Sequence, residues 1–197
     1  MVKHKKLISL CLLSAIVGAV EFSGNIGYAS EYHYRGIYQH AYSLNAGVDI
    51  EAGGFSAGVW IADVGDGAEV DLYGSYSWEL GDLTASAGMT GYYYTGDFDE
   101  TYEEVNLGLD YKFLSVAHSY GTWDGEEGMD YDFTSVTANW NGLYTTYGVF
   151  GKEFEGDYIQ AGYGLEWAGF DWGVSYIKHD EGDSLIGTVS RSFNGSR

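Results

Sequence analysis

From residue 25 to residue 193, apolar and polar positions alternate with a period of two, the signature of strands with one apolar face. Val70, Leu72, Gly74, Tyr76 and Trp78 take one face, and Asp71, Tyr73, Ser75 and Ser77 take the other. Leu83, Ala85, Ala87, Met89, Gly91 and Tyr93 oppose Thr84, Ser86, Gly88, Thr90 and Tyr92. The pattern returns with Val105, Leu107 and Leu109 against Glu104, Asn106 and Asp110, and with Ile159, Ala161 and Leu165 against Gln160, Gly162 and Glu166. No stretch in this range keeps a helical period. Twelve strands are predicted, near 25–35, 43–51, 55–62, 69–79, 83–94, 102–112, 114–122, 131–140, 143–151, 157–167, 170–177 and 185–193. The seventh is the least regular, because His118 shares a face with Leu114, Val116 and Tyr120.

The connections alternate between two kinds. Residues 51–54, 79–82, 112–113, 141–142 and 168–169 are short and mostly glycine-bearing, and Asn141-Gly142 is a strong two-residue hairpin signal. Residues 63–69, 97–104, 124–132, 152–157 and 178–184 are longer and hold 19 of the 29 acids, with Lys152 and Lys178 as their two bases. The first loop, 36–42, has the same side by position and no acid. Strict alternation predicts up-and-down hairpins with every short turn at one end. That asymmetry, with an even strand count, points to an antiparallel up-and-down transmembrane β-barrel.

Composition strengthens the β reading. There are 19 tyrosines, 30 glycines and no proline, and a proline-free chain suits unbroken ladders. Trp78, Trp140, Trp167 and Trp172 each lie near a short turn on the apolar face, as one interfacial girdle would. Tyrosines 92–94, 102, 120, 131, 158 and 176 crowd toward the acidic ends and predict a second girdle. A secreted soluble sandwich would also alternate, but it would not carry two aromatic belts.

The first residues read as an export signal. Lys3, Lys5 and Lys6 precede an apolar run from Leu7 to Val20, too short for a comfortable helical crossing, with Val17 and Ala19 as small residues before a cleavage near Ala19. Residues 1–19 are then removed and 20–197 form one barrel domain. Cys11, the one cysteine, leaves with the signal, so no disulfide is expected. The remaining chain holds 6 bases against 29 acids, a net charge of −23 that repels phosphate backbones and argues against nucleic acid.

Several segments resemble the TorF-like family of proteobacterial outer-membrane porins. The resemblance rests on Tyr32-His33-Tyr34-Arg35-Gly36-Ile37-Tyr38-Gln39, similar to that family's first-strand motif, on Gly54-Phe55-Ser56-Ala57-Gly58-Val59-Trp60, on residues 63–76, and on residues 182–193. It departs at Tyr38, where the family usually has serine, and in the short first loop. It implies an outer-membrane barrel and a porin function, with no catalytic residues.

Twelve strands about 4.8 Å apart and tilted about 40° enclose a Cα radius of roughly 12 Å, which gives a narrow channel or a plugged barrel. The register places Glu31, His33, Arg35, Asp49, Glu69, Asp71, Glu104, Asp110, Lys112, Lys152 and Glu166 as pore-lining residues. Acids outnumber bases, so a weak cation preference is expected. The expected surroundings and partners are outer-membrane lipid and lipopolysaccharide, small neutral or cationic solutes, and weakly held divalent cations at the acidic loops. The alternative is a non-conducting barrel whose acidic loops serve adhesion, reception or shielding. Asp63, Asp66 and Glu69 fall short of a calcium loop, as do Asp124 to Asp132, so no dedicated metal site is expected. His33, His40, His118 and His179 are scattered along the chain, and no catalytic triad or cofactor motif is expected.

Overall fold

The computed structural model describes residues 20–125, 128–179 and 182–196. The predicted cleavage point near Ala19 and Cys11 lie outside the described residues. Every described element is a strand. β1 (Glu21–Ala29) is followed by two short strands, β2 (Tyr32–Tyr34) and β3 (Ile37–His40). The chain then forms β4 (Ser43–Ala52), β5 (Phe55–Asp63), β6 (Ala68–Leu80), β7 (Leu83–Tyr94), β8 (Tyr102–Tyr111) and β9 (Leu114–Trp123). It ends with β10 (Met129–Trp140), β11 (Leu143–Lys152), β12 (Asp157–Trp167), β13 (Phe170–His179) and β14 (Gly182–Ser196).

β1 and β4 to β14 form a closed barrel of 12 antiparallel strands, each paired with its sequence neighbour. β1 closes the ring, pairing with β14 from Glu21↔Ser196 to Ala29↔Thr188 and with β4 from Glu21↔Glu51 to Ala29↔Ser43. The short connections between β4 and β5, β6 and β7, β8 and β9, β10 and β11, and β12 and β13 all lie at one end, here the turn end. The longer connections lie at the other, the loop end. At Asn141-Gly142 both residues have positive φ (51° and 82°), the geometry that the Asn-Gly pair predicted.

The predicted parity holds along the wall. Leu44, Val48, Leu72, Met89, Leu107, Ile159, Leu165 and Leu185 are exposed on the outer surface. The buried apolar residues, among them Ala62, Tyr131, Phe133, Ile177 and Ile186, lie on the opposite parity and face inward. A continuous apolar outer surface is the inverse of what a water-soluble fold presents and fits hydrocarbon around the ring. Trp78, Trp140, Trp167 and Trp172 project outward beside the turns, so the expected girdle is present at that end. His118 does lie on the outer face, where its Nδ1 is hydrogen-bonded to Thr134 Oγ1 of the neighbouring strand (2.9 Å).

Candidate functional site: a hairpin across the lumen

The first strand departs from expectation. It runs 21–29, not 25–35, and the residues after it leave the wall. Ser30 marks the departure: its N–H donates to Gly187 O and its Oγ accepts from Gly187 N–H, both at 2.8 Å. The chain then turns inward as a hairpin of β2 and β3. The tip is Arg35-Gly36, with φ of 49° and 86°, a two-residue turn in which both central residues take the left-handed region. A Cβ at Gly36 would sit 2.7 Å from the Tyr158 ring, so only glycine lets the tip approach β12 this closely.

The side chains of the hairpin reach the wall in several directions. Tyr32 donates its hydroxyl to Glu69 on β6 (2.7 Å), and its ring lies 5.9 Å from Trp60 on β5. Tyr34 donates to the Tyr92 hydroxyl on β7 (2.6 Å). Arg35 makes a bidentate pair with Glu104 on β8 (2.9 and 2.8 Å) and donates to Ser119 Oγ on β9 (2.9 Å). Its guanidinium lies 4.5 Å from the centre of the Phe133 ring on β10. The His33 ring stands 5.7 Å from that of His179 on β13. A segment touching β5 to β10, β12 and β13 crosses the barrel interior.

The Arg35–Glu104 pair is the electrostatic centre. Glu104 also accepts the hydroxyls of Tyr92 (2.7 Å) and Tyr131 (3.0 Å), so four donors converge on one buried carboxylate. Ser119 passes the network on to Asn106 (2.6 Å), and Asn106 to Thr90 (2.9 Å). A buried ion pair is stable only with further hydrogen bonds to its members; here Glu104 takes two phenol donors and Arg35 a third acceptor, Ser119 Oγ. Burial pushes the phenols of Tyr32 and Tyr34 up, which keeps both as donors. Hydrogen bonds from Ser184 and His33 hold the Glu31 carboxyl below its usual range.

The expected pore-lining residues divide into three groups. Asp49, Glu69, Asp71, Glu104, Asp110 and Glu166 lie on the inward parity of wall strands. Asp49 accepts the Tyr73 hydroxyl, whereas Asp71 is buried with Oδ1 unpartnered. Glu31, His33 and Arg35 also reach the interior, but from the hairpin and its approach rather than from β1. Lys112 and Lys152 do not line it. Lys112 occupies a turn (φ 56°) with Nζ 3.6 Å from Asp82 of the adjacent turn, and Lys152 lies over the outward Tyr120 ring, 3.6 Å from its centre. Both have left-handed backbones at strand ends, where the strand's parity no longer sets direction. Arg35 is thus the single Lys or Arg side chain in the interior among the described residues.

The second aromatic girdle is also corrected. Tyr93, Tyr120 and Tyr176 face outward, but Tyr92, Tyr94, Tyr102, Tyr131 and Tyr158 face inward. With Phe133, Phe150 and Phe154 they form a continuous ring-to-ring cluster at the loop end, such as Tyr131 stacked on Phe154 at 4.9 Å and Phe133 on Tyr158 at 6.3 Å. A Cβ at Gly121 would come within 2.6 Å of Tyr131, so a missing side chain on β9 makes room for a ring from β10. The three loop carboxylates first considered as calcium ligands diverge: Asp63 Oδ1 accepts Gly65 N–H, while Glu69 points inward to Tyr32.

Two cavities flank the hairpin. A chamber of about 80 Å³ at the loop end is lined by Tyr34, Tyr92, Tyr94, Asp99, Tyr102, Tyr131, Phe150 and Phe154. A recess of about 420 Å³ toward the turn end is lined by His33, Gly36, Tyr144, Gln160, Asp171, Thr188 and Ser190, among others. Arg35 lines both and stands between them. Sequence reasoning missed this hairpin. Its signal was Arg35-Gly36, a turn-prone pair between two short aromatic runs.

The sequence matches the model of a family described as bacterial protein of unknown function (Gcw_chp) over residues 15–177. The chain belongs to this family. No curated protein matches it in sequence. Among solved structures, this Gcw_chp member resembles the KdgM porin, with a TM-score of 0.63 at 12% identity, covering 87% of this chain and 99% of that one. It also resembles the KdgM porin in complex with disordered oligogalacturonate, with a TM-score of 0.60 at 11% identity, covering 88% and 99%. At such identities the likeness is one of fold.

Proposed function

We propose that this Gcw_chp protein is an outer-membrane channel for small solutes, exported through a signal peptide cleaved near Ala19, with its loop end facing outward. The observation that carries the reading is the pair of cavities on either side of Arg35, which together trace an interrupted path along the barrel axis. The apolar outer face and the tryptophan girdle at the turns support the location, and the porin-like fold supports the class. The TorF-like resemblance is the finer family reading. Its first-strand motif, Tyr32 to Gln39, coincides with the hairpin, so the motif has a clear physical role here.

The interior favours cations. Arg35 is neutralised by Glu104, and Asp49, Glu69, Asp110, Glu166 and Asp171 have no Lys or Arg partner in it among the described residues. A path through such a field concentrates cations and repels anions. This supports small neutral or cationic solutes, and it argues against acidic sugars of the kind bound to the KdgM porin. We propose no catalytic activity. Although His33 and His179 come together, His33 Nε2 is taken by Glu31 (3.1 Å) and the Ser184 hydroxyl goes to the same carboxylate, so no hydroxyl is activated by the ring.

The second reading is a non-conducting barrel, and the filled loop end favours it. Single-channel recording of the purified protein in a planar bilayer separates the two. The channel reading expects small discrete openings with a reversal potential on the cation side. A folded barrel without openings supports the second reading, and anion selectivity overturns the acidic-lumen argument.

A further inference from the structure

The chamber at the loop end has an unusual inventory. It is walled chiefly by five tyrosines and two phenylalanines, yet every tyrosine hydroxyl is engaged with an internal acceptor. Tyr34 donates to Tyr92, Tyr92 and Tyr131 donate to Glu104, Tyr94 is hydrogen-bonded to Glu69, and Tyr102 donates to Asp99 (2.8 Å). Ile37 and Gln39 complete the wall, with the Gln39 amide donating to Ile37 O (3.2 Å), so what faces the space is mainly ring surface and one carboxylate. Asp99 accepts only neutral donors: Tyr102 OH, Trp123 Nε1 (3.0 Å) and the Glu100 N–H (2.8 Å). It has no Lys or Arg partner among the described residues, so its charge is solvated by dipoles but not cancelled. Arg35 also touches the chamber, but its charge is committed to Glu104.

We propose that this chamber binds a small quaternary ammonium group. Ring faces carry the negative end of the aromatic quadrupole, and several of them around one space attract a cation that cannot donate hydrogen bonds. A carboxylate at the wall adds a net negative field. The chamber is small beside the recess, about 80 against about 420 Å³, and has room for a group of trimethylammonium size. A sugar would need free polar partners, and the tyrosine hydroxyls are already engaged. The segment that carries Asp99 repeats the charge, with Asp97, Glu100 and Glu103 beside it, so a cation is drawn toward the mouth before it is seated. Binding at this chamber does not rest on conduction, since it needs only the folded loop end.

The test is isothermal titration of the whole protein, purified in a non-ionic detergent, with choline and with 3,3-dimethylbutan-1-ol, its uncharged isostere. Choline is expected to bind about tenfold tighter than the isostere. Asp99→Asn and Phe154→Ala are each expected to weaken choline by about tenfold or less, with the barrel's heat-modifiable gel mobility retained. Equal binding of the two probes reduces the site to an apolar pocket and overturns the proposal. So does the absence of saturable choline binding to the wild-type protein, or a folded Asp99→Asn variant with unchanged affinity. Because the wild-type comparison of the two probes is decisive alone, a variant that fails to fold does not rescue the idea. Binding without conductance would refute the channel and leave this site standing.

Discussion

The two halves of the barrel interior differ more than the two faces of its wall. At the turn end the inward residues are mostly polar and many are small: Ser56 meets Ser75 (2.7 Å) and Thr137 meets Thr146 (2.8 Å) across neighbouring strands. At the loop end the same parity carries Tyr92, Tyr94, Tyr102, Tyr131, Phe133 and Tyr158, with the hairpin among them. One half leaves a recess of about 420 Å³, whereas the other leaves about 80 Å³. Side-chain volume, not strand number, therefore sets the bore. A ring of a given circumference is open where Ser and Gly face in and filled where aromatic residues do.

The largest effect that would test this contrast is removal of the filling. Replacing residues 31–41 with a flexible Gly/Ser linker of equal length should raise single-channel conductance several-fold. Unchanged conductance would show that the hairpin is not the constriction. Next comes its clasp. Glu104→Gln or Arg35→Ala each leaves a buried charge or buried donors unmatched and should cost about 3–5 kcal/mol of stability against urea. The double substitution should cost less than the sum of the two, because the partners form one unit. A strictly additive cycle would mean that the pair is not a coupled clasp.

A smaller effect of opposite sign is expected at Asp71, which is buried at the loop end with Oδ1 unpartnered. Asp71→Asn removes a buried carboxylate with one unpartnered oxygen and should raise stability by about 1 kcal/mol at alkaline pH, where the aspartate is ionised. A loss of several kcal/mol would reveal a partner for the carboxylate. The smallest change is predicted at the turn end. Ser75→Ala should stay within about 0.5 kcal/mol and leave conductance as it was, since the recess there is already wide.

Period-two alternation made the wall legible. It gave twelve strands, their faces and the two ends, and all but the first lie within a few residues of where the pattern placed them. The miss at the first strand has a physical cause. A hairpin strand also alternates, so Glu31, His33 and Arg35 continue the parity of Ser23, Asn25 and Gly27 without marking where the chain leaves the wall. Only Ser30, by bonding to Gly187, records the break, and no local rule reads that contact. The tyrosines show a different failure. Parity grouped Tyr92 with Thr84 to Thr90 on the polar face, but its nearness to an acidic loop suggested an interfacial belt. Position along a strand reports depth, while parity reports direction, and direction decides whether a ring meets lipid or lumen. Lys112 and Lys152 failed for the reverse reason: at a strand end with positive φ, parity stops being a guide.

The attachment point of the hairpin has a consequence for assembly. β1 is one side of the seam that turns an open sheet into a ring, and the hairpin hangs from its end. Ser30 binds Gly187 on β14, the other side of that seam, at the point where the hairpin begins. Zipping the last strand onto the first thus draws the base of the hairpin into place, while its tip already needs partners on strands in between. A ring closed with this segment outside would leave Arg35 and Glu104 each without its match. The seam that closes this ring and the segment that fills it thus share one contact, so losing the pairing at Ser30 and Gly187 would unseat both.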